Sequence, residues 1–442
     1  MSFDELGINP ALSKALARQG ITSPFPIQTA TLPDAVSGLD VLGRGQTGSG
    51  KTLAFGLAML TRLAERRAKP HKPLGLILAP TRELAMQIQD SLAPLMSAVN
   101  LRSRLIAGGM PYGKQIDALR SGVPILIATP GRLMDLMERG DVDLSSTEMV
   151  VLDEADQMAD MGFLPAMKTI LDTVKPGGQR LLFSATLDKD VNRLVRTYLN
   201  DPVEHSVDTG QASVTTMDHH VLVVHPEDRD VIIAQIAARE GRTIIFTRTK
   251  HGADKLAAKL AGQGVPVGVL HGGKTQAVRT RTLKEFKDGA IRTLVATNVA
   301  ARGIHVDGIS LVVHFDAPTD PKDYLHRAGR TARAGESGTV VTMTAPRQQR
   351  TVKHMTDRCG VQPVVTRIRP LSAELVTITG AQKPSGEPWA PAPVRVKNSR
   401  PGGKARHNRG GRPGHGRHSD RPGNRSHGSR KPRSGRKATM GS

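Results

Sequence analysis

Val41-Leu42-Gly43-Arg44-Gly45-Gln46-Thr47-Gly48-Ser49-Gly50-Lys51-Thr52 runs from a short apolar stretch into a helix-like segment, Leu53 to Leu63. Its second part has the Gly-x-x-x-x-Gly-Lys-Thr pattern in the strand-to-helix setting that gives the pattern meaning. The glycines let backbone N–H groups turn toward phosphate oxygens, Lys51 brings a point charge to the outer two phosphates, and Thr52 offers a hydroxyl to Mg2+. The stretch predicts an α/β domain that holds a nucleotide.

Outward from it, short apolar runs alternate with amphipathic stretches: Leu76-Ile77-Leu78, Ile125-Leu126-Ile127, Met149-Val150-Val151-Leu152 and Leu181-Leu182-Phe183. Runs buried on both faces suit a parallel sheet flanked by helices. Residues 200 to 218, with Asp201-Pro202, Gly210 and several Ser and Thr, read as a linker. A second series then begins at Val221 and continues through Ile244-Ile245-Phe246, Val267 to Leu270, Leu294-Val295-Ala296, Leu311-Val312-Val313 and Val340-Val341. It predicts another α/β domain of similar rhythm but unrelated residues. The expected division is 1–207, 208–365 and a disordered basic tail over 366–442.

A nucleotide loop needs an acid for its metal, and Asp153-Glu154-Ala155-Asp156 follows directly on the Met149–Leu152 run. Alone, such a tetrad is more often an exposed acidic helix start. Beside the phosphate loop it predicts that Asp153 positions Mg2+, directly or through water, while Glu154 orients or deprotonates the attacking water.

Composition narrows the partners. The formal charge is +22 and the pI near 10.5, which calls for an anionic partner. Fifteen Lys or Arg against one acid, Asp420, lie between Arg395 and Ser442, so +14 of the excess sits in a segment too polar to bury a core. There is no run of eighteen apolar residues and no export-signal pattern at Met-Ser-Phe-Asp-Glu, so a cytoplasmic protein with no membrane partner is expected. The single Cys359 excludes an internal disulfide framework and reads as an apolar filler. Aromatic residues make up only 3%, too few for a broad base-stacking platform, so sugar-phosphate contact is the expected mode.

The order of further motifs resembles the DEAD-box RNA helicases of superfamily two over roughly residues 3 to 345. Besides the two motifs above, the chain carries Pro80-Thr81-Arg82-Glu83-Leu84-Ala85, Gly108-Gly109, Thr129-Pro130-Gly131-Arg132 and Ser184-Ala185-Thr186. Its second half adds Phe246-Thr247-Arg248, His271-Gly272, Gln276 with Arg279, Ala296-Thr297, Ala301-Arg302-Gly303 and His326-Arg327-Ala328-Gly329-Arg330-Thr331-Ala332-Arg333. The resemblance implies two tandem RecA-like parallel-sheet domains and RNA-stimulated ATP hydrolysis. It assigns Ile21, Thr22, Pro26 and Gln28 to the adenine, residues Gly45 to Thr52 to the phosphates, and Gly303 and His305 to the nucleotide from the second domain. Arg330 and Arg333 become arginine fingers, suited by a permanent charge and a planar fork.

By the same resemblance, RNA is held by Pro80, Thr81, Arg82, Gly109, Thr129, Gly131 and Arg132 of the first domain and by Arg248, Gly272, Gln276, Arg279 and Thr297 of the second. Asp156, Ser184, Thr186 and His326 couple hydrolysis to closure. Taken singly, Gly108, Gly109, Gly131 and Gly272 each read better as ordinary turn glycines. Small residues and helix starts bring N–H groups to phosphate without reading bases, so binding is expected to be sequence-independent. The short core and Arg/Gly tail resemble bacterial RhlE-type helicases, which implies ribosomal precursors or RNA-decay proteins as partners, with the tail as an RNA tether. A DNA-directed helicase and an ATP-clamped RNA scaffold remain the alternatives.

Three departures stand out. Ile21 occupies the place of a stacking aromatic, Gly45 that of an alanine, and Asn298 and His305 stand where the family generally has aspartates. Imidazole at 305 in place of a carboxylate implies weaker nucleotide binding.

Overall fold

The computed structural model describes residues 2–45, 48–207, 217–301, 306, 308–332 and 337–390. The first lobe is a sheet of β1 (Val41–Arg44), β2 (Gly75–Leu78), β3 (Ser103–Ile106), β4 (Ile125–Ala128), β5 (Met149–Asp153), β6 (Gln179–Ser184) and β7 (Val203–Ser206), in the order β3-β4-β2-β5-β6-β1-β7. All its pairings are parallel. The second lobe repeats that order with β8 (Met217–Val224), β9 (Arg242–Thr247), β10 (Val267–Leu270), β11 (Thr293–Thr297), β12 (Ile309–His314), β13 (Gly338–Thr344) and β14 (Val364–Ile368), as β10-β11-β9-β12-β13-β8-β14.

Both lobes are parallel sheets, as the unbroken apolar runs predict, and RecA-like, as the resemblance implies. Side chains on a strand alternate between faces, and here both faces are covered. Ile77, Ile127 and Val151 enter one core with Phe55 and Phe183, whereas Leu76, Leu78, Leu126 and Leu152 enter the other with Leu133 and Ile170. The second sheet is sandwiched in the same way. Close packing sets one glycine: a Cβ on Gly43 of β1 would lie 2.4 Å from the ring of Phe183 on β6, so only glycine admits the Phe55–Phe183 stack beneath the phosphate loop.

Two boundaries differ from expectation. The region read as a linker, 200–218, contributes β7 and the start of β8; only 208–216 lie outside the described residues. β7 is a short edge strand with alternate residues exposed, which leaves too weak an apolar signal to read. The second lobe also extends beyond 365. β14 pairs with β8, the helix Ala373–Thr379 packs beside it, and backbone bonds from Gln382, Gly386 and Trp389 to Gln235, Gln263 and Ala261 carry the chain along the lobe. Val364 and Val365 are exposed, so this edge shows no buried run in the sequence. The basic stretch from Arg395 lies outside the described residues. Among the described residues no helix is long and apolar enough to cross a membrane.

Candidate active site and nucleic-acid interface

In a parallel sheet the strands end on one edge, and loops there converge. β5, β6 and β1 are neighbours, so the Asp153 run, the Ser184 turn and the phosphate loop meet side by side. Gly48 and Gly50 take φ values of 95° and 92°, the left-handed region that glycine adopts without strain. The helix Lys51–Leu63 then presents its first turn to the loop. Lys51 is buried and its Nζ donates to the Gly45 carbonyl, which holds the ammonium inside the loop.

Asp153 is 3% exposed, and its Oδ1 has no hydrogen-bond partner among the described residues. Burial pushes its carboxyl up to about 7; Lys51 opposes the shift and the neighbouring Glu154 adds to it. An orphaned buried carboxylate oxygen fits a hard divalent cation, which takes few protein ligands and fills its remaining positions with water and phosphate. Among the described residues no cluster of three or more His, Cys, Asp or Glu offers a fuller metal cage. Glu154 turns the chain with φ 52° and ψ 52° and caps the helix Ala155–Asp160.

Asp156 serves a different purpose. Its Oδ2 accepts from the Thr186 amide at 3.0 Å and the Thr186 hydroxyl at 2.8 Å, while Ser184 Oγ accepts from the Asp156 amide at 3.3 Å and donates to the Thr186 carbonyl at 2.8 Å. The acidic run and the Ser-Ala-Thr turn are thus one hydrogen-bonded unit. His326 of the second lobe approaches it, with Nε2 3.9 Å from Asp156 Oδ2, beyond hydrogen-bond range.

Gln28 is buried and doubly engaged: Oε1 accepts from Phe25 N at 2.9 Å and Nε2 donates to the Gly50 carbonyl at 3.0 Å. The amide therefore ties the Phe25-Pro26 entry to the phosphate loop and keeps a second N–H and a second lone pair beyond those two bonds. Thr22 and Pro26 are exposed beside it and Ile21 is half-buried.

Arg330 is 4% exposed on the second lobe, with Nε donating to the His326 carbonyl at 3.3 Å. It lines a small recess with Phe246, Asn298, Asp323 and Arg327. Asn298 Nδ2 donates to Asp323 Oδ1 at 2.6 Å, and Asp323 Oδ2 takes Arg327 at 2.7 Å, so the amide found in place of a carboxylate has its own partner. Gln46, Thr47, Gly303, His305 and Arg333 lie outside the described residues.

A second groove, about 610 Å³, gathers Pro80, Thr81, Arg82, Thr129, Gly131 and Arg132 from the first lobe and Gln276 and Arg279 from the second. Thr81 and Thr129 are helix N-caps, so free amide ends face this edge. Arg82 bonds to the Gly108 and Gly109 carbonyls at 3.3 and 3.0 Å, and Arg132 lies 4.0 Å above the Tyr112 ring. Arg248, Gly272 and Thr297 are elsewhere on the second lobe: Arg248 lines a cavity of about 680 Å³, and Thr297 ends β11. That cavity sits at β8, the counterpart of β1, but the turn after it, His225-Pro226-Glu227-Asp228-Arg229, has neither glycine nor lysine. The Gly-x-x-x-x-Gly-Lys-Thr pattern of the first lobe has no counterpart in that turn.

The sequence reading did not single out Glu83, Tyr112 or Phe163, which also line the second groove. Glu83 stands inside a quoted motif, yet its cross-lobe role depends on where Gln276 and Arg279 arrive.

The phosphate-loop motif thus belongs to one lobe, and its twin of the same strand order lacks it. Residues 25–194 match the DEAD/DEAH box helicase family and residues 227–335 the helicase conserved C-terminal domain. The chain is 40% identical over 364 residues to DEAD-box ATP-dependent RNA helicase 9 of Oryza sativa subsp. japonica, covering 80% of this chain and 57% of that protein. It is 39% identical over 381 residues to ATP-dependent RNA helicase RhlB of Xanthomonas campestris pv. campestris, covering 83% of this chain and 66% of the relative. The chain thus spans less than two thirds of either relative. A structure of S. cerevisiae Dbp5 bound to RNA and ADP BeF3 superposes with a TM-score of 0.75 at 30% identity, covering 83% of this chain and 95% of that one. The chain belongs to the DEAD-box helicase family.

Proposed function

We propose that this protein is an ATP-dependent RNA helicase whose ATP hydrolysis is stimulated by RNA, with domains at 1–207 and from 208 onward and a basic tail that tethers RNA. The observation that carries the reading is Glu83: the first lobe's RNA-side motif is bonded to Gln276 and Arg279 of the second, on the same closed arrangement that brings His326 toward Asp156. Ligands bound across both gaps favour one closed clamp, so each promotes the other's binding.

Within the clamp, Lys51 and the loop amides take up phosphate charge, Glu154 orients the attacking water and accepts its proton, and Arg330 with Arg333 stabilises the charge of transfer. Thr52 and Asp153 would hold Mg2+, which when bound neutralises phosphate oxygens. The Asp156–Thr186 bonds relay loss of the γ-phosphate to the lobe interface. On the RNA side, N-caps and arginines grip the backbone of one strand and bend it; a bent strand leaves an A-form duplex, so short helices open locally without translocation.

The reading extends to a role in ribosome assembly or RNA turnover, as in the RhlE-type resemblance. The first test is ATP hydrolysis by the full chain with and without saturating RNA. A rise with RNA but not DNA is expected; equal rates with and without RNA reject the clamp, and equal stimulation by DNA rejects the substrate. Release of short RNA duplexes then separates a helicase from a scaffold. Removal of residues 395–442 should flatten the salt dependence of RNA binding while basal hydrolysis persists.

A further inference from the structure

Lys322 belongs to the second lobe, at the second position of the helix Pro321–Ala328 that leads to His326, Arg327 and Arg330. A cation gains nothing from the positive end of its own helix. Its partners are on the other lobe: Nζ lies 2.7 Å from Asp160 Oδ1 and 2.6 Å from Asp188 Oδ2. Asp160 ends the helix that begins at the Asp153-Glu154-Ala155-Asp156 run. Asp188 caps the helix Lys189–Tyr198, two residues after Thr186, accepting from Val191 N at 2.9 Å. One ammonium therefore touches the far ends of both elements of the Asp156–Thr186 unit.

The three side chains are 24% to 34% exposed, so the pairs are partly shielded from solvent. Burial works against the Lys322 charge, yet its bonds to Asp160 and Asp188 outweigh that and hold its pKa above the ordinary value. The ammonium thus offsets the like charge of two carboxylates on that edge. A cavity of about 350 Å³ adjoins the bridge, lined by Arg44, Thr186 and His326, so the bridge sits beside the coupling turn.

We propose that Lys322 is a positioning residue for the reaction: by bridging Asp160 and Asp188 it sets the register in which the arginine-bearing helix meets the Ser184–Thr186 turn when the lobes close. This rests on the clamp reading. It differs from RNA-side closure at Glu83 because it acts on the hydrolysis side and requires no RNA contact.

The test is a double-mutant cycle in the full chain, with Lys322→Met, Asp160→Asn and both together. The readout is closure, measured by energy transfer between dyes on the two lobes in the presence of single-stranded RNA and a non-hydrolysable ATP analogue. Lys322→Met should lower the closed-to-open ratio about three- to tenfold, with Asp160→Asn adding little once Lys322 is gone. Lys322→Arg should retain closure, and fluorescent ADP binding to the open first lobe should be unchanged in every variant. If the wild type closes and Lys322→Met closes equally, or if the two substitutions add independently, the bridge has no positioning role while the clamp stands. If the wild type itself does not close, both readings fall.

Discussion

Glu83 Oε2 lies 3.0 Å from Arg279 Nη2, and its other oxygen accepts from Gln276 Nε2 at 2.7 Å, so a carboxylate of the first lobe joins two side chains of the second across the groove lined by Thr81, Arg82 and Arg132. Glu83 is 7% and the Arg279 side chain 16% exposed. A pair this sheltered is costly to break from one side, because the remaining charge stays desolvated.

Glu83→Ala should therefore weaken the closed state by about 1–3 kcal/mol. The expected result is a higher RNA concentration for half-maximal ATPase stimulation and unchanged nucleotide binding to the first lobe. A titration of RNA against hydrolysis rate, with nucleotide binding measured separately, checks both.

Asn298→Asp would set a second carboxylate against Asp323, where the amide now donates at 2.6 Å. Replacing a donor by a like charge beside the Asp323–Arg327 pair should cost the second lobe about 1–3 kcal/mol at pH 7. Urea unfolding reports it, and the loss should shrink at pH 5 as the new carboxyl takes up a proton.

His314 is fully buried between β12 and β13, with Nδ1 3.0 Å from Thr342 Oγ1 and its ring edge-on to Tyr324 and Phe246. Burial, with help from Arg327 and His219, holds it well below its ordinary 6.5. Below that value the unfolded chain binds a proton that the folded lobe refuses, so this contribution is complete above pH 6.5 and is lost as pH falls toward the folded value. Urea midpoints for the wild type should drop between pH 7 and pH 5.5; His314→Gln should lower the midpoint at pH 7 and flatten that drop.

Gly50→Ala should abolish nucleotide binding while leaving the second lobe folded. The residue sits at φ +92°, and an added Cβ would meet Gln28 Nε2 at 2.6 Å and Phe25 Cδ2 at 2.7 Å. Fluorescent ADP titration reads the loss, and circular dichroism confirms that the fold persists.

The sheet cores and the strand-to-helix turn at Gly48, Gly50 and Lys51 were legible because their signals are local: runs apolar on both strand faces, and glycine and lysine at fixed spacing. Edge strands β3, β7 and β14 were not, since a strand half-open to solvent carries only half the apolar pattern. The engagement of Gln28 with Phe25 and Gly50 was not legible either, because it depends on where the phosphate loop is folded back.

The sequence by itself determined that two parallel-sheet lobes would form, that the first would carry a phosphate loop and an acidic partner run, and that the charge excess lies near the carboxyl terminus. Those follow from period, residue type and order along the chain. Only the tertiary structure decided that Glu83 would meet Arg279, that Asn298 would answer Asp323, and that Lys322 would reach Asp160 and Asp188. These pairs are separated by 25 to 196 residues, and whether such charges meet or face solvent depends on how the strand ends and the lobes are brought together, which local sequence does not encode.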